Sequence, residues 1–200
     1  MGLNSRELFE RKGKRIHLKR LDTEYLDLYV DNLMNTCAET LILTVTPSVF
    51  NKFGIEKYVR DAISDSSRMD FLIFTNNTEK LVGEVVLQDI DTGNRSAGIR
   101  IAVDKKEDYG KGYGTEALIL AMNYAFGMRN LHRLELEVLN INDRAYHVYE
   151  KIGFKKEGIK RDANYFNHKY YDLISMSILE EEYREKYLND DYSIVKLLEY

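Results

Sequence analysis

Two hundred residues with 44% apolar and 12% aromatic side chains can bury one sizeable core, the scale of a single domain. A formal net charge of −4 leaves no basic field for a nucleic-acid backbone, and no uninterrupted apolar run approaches the roughly 20 residues that span a bilayer. Cys37 stands alone and excludes an intramolecular disulfide, no residue pairs have zinc-finger spacing, and the start "MGLNSRELFERKGKR" carries no apolar stretch of signal-peptide length; a cytoplasmic protein with no metal, no membrane and no direct nucleic-acid partner is expected.

Along the chain, "RIHLKRL" alternates Ile16, Leu18 and Leu21 as a short strand does, and Asp22 or Thr23 is placed to cap the next segment, "EYLDLYVDNLMN". There Tyr25, Leu26, Leu28, Tyr29, Leu33 and Met34 recur at helical spacing with carboxylates between them, which predicts a helix with one core face. "LILTV" fits a strand or a buried loop, and "GIEKYVRDAIS" has helical periodicity. Three strand signals follow, "MDFLIFTN", "KLVGEVVLQDID" and "RSAGIRIAVD", separated by the turn-like "NNTE" and "TGN"; they predict an antiparallel meander.

"EDYGKGYGTEAL" then places Gly110, Gly112 and Gly114 at alternating positions before good helix formers. Glycines let backbone N–H groups turn toward one point, and a helix start adds partial positive charge there, a combination that suits a phosphate. Taken alone, the glycines fit a flexible turn before a core helix equally well. The stretch is not a P-loop, because Gly112 sits where Ser or Thr should follow Gly-Lys and no glycine lies at the required distance upstream. Nor is it a dinucleotide fingerprint, since G-x-G-x-G comes here after an antiparallel meander. Ala117, Leu118, Ala121, Met122, Ala125 and Phe126 predict a long helix; "HRLELEV" alternates as a strand; "NDRAYHVYEKIGF" predicts a short helix stopped near Gly153. "KKEGIKRDANYFNHKYYDLISMSIL" reads as two strands joined around "NYFNHK", and the chain beyond Glu180 is charged and rich in tyrosine.

This order of elements, with "YGKGYGTEAL" and "NDRAYHVYEKIGF" at their spacing, resembles the GNAT superfamily of N-acetyltransferases over roughly residues 14–182, with a charged tail over 183–200 of a single 1–200 domain. The branch it is similar to includes enzymes that act on ribosomal-protein N-termini and on spermidine or other small amines. One position departs from the loop pattern: Tyr109 stands where Gln or Arg is usual. The resemblance implies an α+β (mixed α/β) three-layer fold, with a mixed, mostly antiparallel twisted sheet between helices.

It also implies acetyl-coenzyme A as co-substrate. The loop from Tyr109 and Gly110 through Lys111, Gly112, Tyr113 and Gly114 to Thr115 would hold its pyrophosphate, with Lys111 as a point charge. The strand carrying Ile101, Ala102 and Val103 would pair with the pantetheine arm, which Asn142 would bond from the other side and Ala145 would leave room for. Tyr149 would touch the cofactor and protonate the departing thiolate.

Acetyl transfer also needs a group to take the amine's proton, since an alkylamine with pKa near ~10.4 is mostly charged at neutral pH. Gly98 stands where several members have glutamate, so the base is open. Glu84 on the preceding strand is one candidate and Glu135 or Glu137 are others, each equally readable as part of a solvated face. His17, His132, His147 and His168 have no metal-ligand spacing and no expected role. The expected activity is acetyl transfer to a primary amine of a protein N-terminus or a small molecule. A polyamine acceptor, bound near Glu39, Glu56, Asp61 and Asp65, and a catalytically idle acyl-coenzyme A sensor are the alternatives. Members of the family often dimerise through their last strands, so a homodimer is possible on the same resemblance.

Overall fold

In the computed structural model, which describes residues 11–46 and 51–188, the alternating apolar runs assemble into one eight-stranded sheet. Its order in space is β1 (Arg11–Lys12), β2 (Ile16–Arg20), β3 (Met69–Thr75), β4 (Leu81–Asp91), β5 (Ser96–Val103), β6 (Arg133–Leu139), β8 (Lys169–Leu179) and β7 (Lys155–Phe166). All neighbours are antiparallel except β5 and β6. The mixed, mostly antiparallel α+β sheet with helices on both faces is the expected fold.

Strand β3 shows how period two builds the layers. Phe71 and Ile73 pack on one side, with α4 (Tyr113–Gly127), α5 (Asp143–Ile152) and α6 (Glu180–Tyr187), in the larger core. Leu72 and Phe74 pack on the other, against Tyr29 and Val30 of α1 (Leu26–Met34) and Ile55 and Val59 of α3 (Lys52–Ser64). Helix α4 buries Leu118, Ile119, Leu120, Met122 and Phe126, each worth about 1.5–3 kcal/mol relative to exposure, and so fixes the start of the helix firmly against the sheet.

Three details differ from the sequence reading. "LILTV" is neither strand nor loop: Leu41–Leu43 end a short helix, α2 (Ala38–Leu43), seated by the Leu41 N–H on the Cys37 carbonyl and by the Thr40 hydroxyl on the Val103 carbonyl. In α1, Leu28 and Met34 are 44% and 53% exposed, while Val30 and Asn32 turn inward. A tighter 3-10 turn (Thr23–Tyr25), capped by Asp22, precedes α1 and shifts the phase of its apolar stripe. The packed unit also continues past residue 182, because Tyr183 and Tyr187 of α6 join the larger core and the Tyr187 hydroxyl donates to the Ile152 carbonyl. Residues 1–10, with most of the charged start, and 189–200, with most of the charged tail, lie outside the described residues. Among the described residues no helix is long and apolar enough to cross a membrane.

The parallel contact positions the site. β5 and β6 keep register over Ser96↔Arg133, Ala97↔Leu134 and Gly98↔Glu135. Beyond that point β5 follows its antiparallel partner β4 as far as Gly83↔Val103, and β6 follows β8 as far as Leu139↔Leu173. The two strands part, and a wedge opens in the middle of the sheet.

Candidate active site

The wedge is part of a cleft of about 870 Å³. The Asp104 N–H donates to the Val82 carbonyl, so by alternation Ala102 and Arg100 turn their backbone groups toward β4 while Ile101 turns its N–H and C=O into the wedge, where no strand lies opposite. Side chains alternate as well. Ile99 and Ile101 pack on the α4 side, and Gly98, Arg100 and Ala102 face the side of α1 and α3.

At one end of the cleft lies the glycine loop. Gly110 and Gly112 have φ of +73° and +82°, the left-handed region that only glycine enters freely. Gly112 is the cap of α4, and the first intrahelical bond runs from the Glu116 N–H to the Gly112 carbonyl. The N–H groups of Tyr113, Gly114 and Thr115 are therefore left without acceptors in the helix, and no side chain among the described residues caps them. Glu116, although in the first turn, is occupied elsewhere: its buried carboxylate accepts from the Arg15 N–H (2.9 Å) and faces the Arg15 guanidinium (3.4 Å). The helix start, with its partial positive charge, opens on the cleft.

Tyr109 is held at this end by its hydroxyl, 2.5 Å from Thr40 Oγ1 and 3.3 Å from Cys37 Sγ. The Arg144 guanidinium lies 4.0 Å over its ring, and both residues line the cleft. Arg144 was not singled out by the sequence; its signal was a cation inside "NDRAYHVYEKIGF", next to Ala145. Lys111 is the one expected cofactor residue that the fold keeps off the cleft wall, because its ammonium pairs with Asp108 at 3.1 Å.

Asn142, Ala145 and Tyr149 come from α5, directly after β6, and all three line the cleft. The Asn142 amide oxygen caps α5 by accepting from the Ala145 N–H (3.2 Å). Tyr149 is 8% exposed and its ring packs near Phe154. Its hydroxyl has no hydrogen-bond partner among the described residues, and burial pushes its pKa up to about 12.

The proton acceptor expected at Glu84 is not in the cleft. That carboxylate is 5% exposed, accepts from the Tyr29 hydroxyl (2.5 Å) and from Arg100 Nη2 (2.7 Å), and so serves as the counter-ion of a buried network. Glu135 and Glu137 do line the cleft, the first beside Arg133 (3.2 Å) and the second paired with Lys160. Glu39, Glu56, Asp61 and Asp65 are dispersed: the first three pair with Lys106, Lys52 and Lys57, Asp65 accepts from Ser67, and none is on the cleft wall. The four histidines are off the wall too.

The acetyltransferase (GNAT) domain family matches residues 15–155 of the chain. The spermidine N(1)-acetyltransferase of Vibrio cholerae is 32% identical over 129 residues, covering 64% of this chain and 73% of that one. The protein of the same name from Escherichia coli K12 is 32% identical over 134 residues, covering 67% and 70%. Among solved structures, that of spermidine N-acetyltransferase from Vibrio cholerae in complex with CoA and spermine superposes with a TM-score of 0.77 at 27% identity, over 84% of this chain and 97% of that one.

Proposed function

The chain belongs to the GNAT family of acetyl-coenzyme A-dependent N-acetyltransferases, and from that premise we propose that its acceptor is a small-molecule primary amine entering the wedge from the side of α1 and α3. The open N–H groups of α4, the unpaired edge of β5 and the Tyr149 hydroxyl, which bonds nothing among the described residues, converge on one cleft and carry the acetyl-transfer reading; the likeness to spermidine N(1)-acetyltransferases supports the small-amine acceptor.

Acetyl-coenzyme A supplies the activated acyl group. The amides of Gly112, Tyr113, Gly114 and Thr115 suit its pyrophosphate, and Arg144, over the ring of Tyr109, brings a cation to the cleft wall, which Lys111, paired with Asp108, does not line. Ile101 offers N–H and C=O to an amide-bearing arm, as an adjacent strand would, with the Asn142 NH2 on the other side. A neutral amine attacks the acyl carbon; backbone N–H groups at the wedge stabilise the charge that grows on the acyl oxygen. As the carbon–sulfur bond breaks, the Tyr149 hydroxyl gives its proton to the departing sulfur. The amine's own proton leaves through water toward Glu135, which the last register pair sets across from Gly98.

A cytoplasmic location and a homodimer belong to the same reading. The exposed Tyr165 and Tyr170, whose rings meet at a tilt where β7 turns into β8, support the dimer, which light scattering on the purified chain tests. The activity is tested by following thiol release from acetyl-coenzyme A against small amines and short peptides with free N-termini. Turnover on small amines is expected. Turnover on peptides alone would move the acceptor class to protein N-termini, and tight binding with no turnover would make the chain a sensor.

A further inference from the structure

We propose that Arg100 selects the acceptor, and that the preferred acceptor is an amine that also carries a carboxylate, of the size of an amino acid, rather than a polycation. The inference rests on the acetyltransferase reading above and deepens it. Arg100 projects from β5 on the acceptor side, two residues from Gly98, with its side chain 36% exposed at the cleft wall. Its Nη2 donates to Glu84 Oε1 (2.7 Å) and to the Tyr58 hydroxyl (3.0 Å). Nε and Nη1 have no partner among the described residues, so three N–H bonds of a fixed cation remain for a ligand.

The scaffold behind this cation is built. Glu84 is held from α1 by the Tyr29 hydroxyl. Tyr58 of α3 accepts from Arg68 Nη2 (2.6 Å), and Arg68 in turn pairs with Asp70 at 2.7 Å. Within this bonded network two buried carboxylates balance two guanidinium groups, with the buried Asp104 beyond it, near enough to Glu84 to feel its charge. Charge-assisted bonds from a pre-positioned guanidinium to a carboxylate are among the strong polar contacts available to a site. Close by, Gln88 packs over Gly98, where an added Cβ would lie 3.2 Å from Gln88 Cγ, and Glu135 lies across from Gly98 to receive the amine. A polycation finds less: Glu135 and Glu157 share Arg133, Glu137 has Lys160, and of the carboxylates lining the cleft Asp89 alone has no cation partner among the described residues.

The test uses the full chain with acetyl-coenzyme A and matched acceptor pairs that differ only by the carboxylate, lysine against cadaverine and ornithine against putrescine, with spermidine alongside. The carboxylated member is expected to have a kcat/KM at least tenfold higher. Arg100→Gln should raise its KM tenfold or more and bring the ratio within each pair toward one, while acetyl-coenzyme A affinity by calorimetry stays within threefold. Because that change strips Glu84 of its counter-ion, the double variant Glu84→Gln with Arg100→Gln, which removes both charges, is measured in parallel and should show the same loss of preference. A wild-type preference for cadaverine, putrescine or spermidine overturns the inference and leaves the acetyltransferase reading intact, as does a ratio unchanged in a folded variant. No turnover on any amine, with acetyl-coenzyme A bound, overturns the reading on which the inference rests.

Discussion

The Tyr149 ring is buried, but its hydroxyl bonds nothing among the described residues and opens on the cleft, an arrangement matched to a chemical task. Tyr149→Phe removes an oxygen that bonds nothing among the described residues, so it should leave unfolding free energy within about 1 kcal/mol of wild type. Turnover should nevertheless fall by about 10²-fold or more, the scale of general-acid effects, with acetyl-coenzyme A affinity nearly unchanged. Since burial holds the phenol at about 12, no falling alkaline limb from Tyr149 is expected below roughly pH 11; unaltered turnover in the variant would remove the residue from the mechanism. Asp104 makes a different prediction. Burial, and then the charge of Glu84, push its pKa up to about 7, although Asn32 and Thr36 donate to it. An unfolded aspartate titrates near ~3.9, so between about pH 4 and 7 the native state keeps a proton that the unfolded state has released, and stability must fall as pH rises through that window. The effect is on the order of 4 kcal/mol at most, at 1.36 kcal/mol per unit. Asp104→Asn, which keeps an acceptor oxygen, should flatten the decline in urea-unfolding free energy between pH 4.5 and 8; parallel curves would show that another group titrates.

At the level of single elements, helix α4 and its loop were the most legible part of the chain, because left-handed glycines and good helix formers are local properties. The three glycines are not equivalent, however. Gly112 needs its φ of +82°, so Gly112→Ala should lose about 1–2 kcal/mol to backbone strain and raise the KM for acetyl-coenzyme A severalfold as the amides turn away. Gly114 sits inside the first turn, where an added Cβ would only touch Ile101 and Val103 at 3.6 Å, ordinary contact. Gly114→Ala should therefore stabilise the helix by about 0.5–1 kcal/mol and leave the KM within twofold. Equal losses in the two variants would mean that steric access, not backbone direction, governs the loop. Elements that depend on their neighbours were harder to read. A short apolar run such as "LILTV" has the same pattern as strand or helix, and the Thr40 contact to Val103 that seats α2 spans the whole meander. The phase of α1 was likewise hidden, because the 3-10 turn that shifts it leaves no mark on apolar spacing.

The whole molecule decides what no segment can. Glu84 and Glu135 sit in strands of the same alternating pattern, and only the placement of α1 and α3 over β4 turns one into a buried counter-ion while the other faces the cleft. The wedge itself exists because β5 stays with β4 and β6 stays with β8. It joins three distant stretches of sequence: the edge of β5, the start of α4 and the cap of α5. A ligand bridging them must protect amides in all three at once, and this is measurable by hydrogen exchange. At a ligand concentration of 100 Kd, binding adds about 2.7 kcal/mol to global stability, which slows amides that exchange by complete unfolding. Ile101 and residues 113–115, whose N–H groups are bonded to no strand or helix partner, exchange instead from the native state. They should slow on adding acetyl-coenzyme A by more than the global change, together with the first turn of α5, while the exposed β7–β8 tip around Tyr165 and Tyr170 keeps its free rate. Slowing confined to α4 would leave the phosphate cradle but remove the β5 edge from the site; slowing at the β7–β8 tip alone would move the ligand out of the wedge altogether.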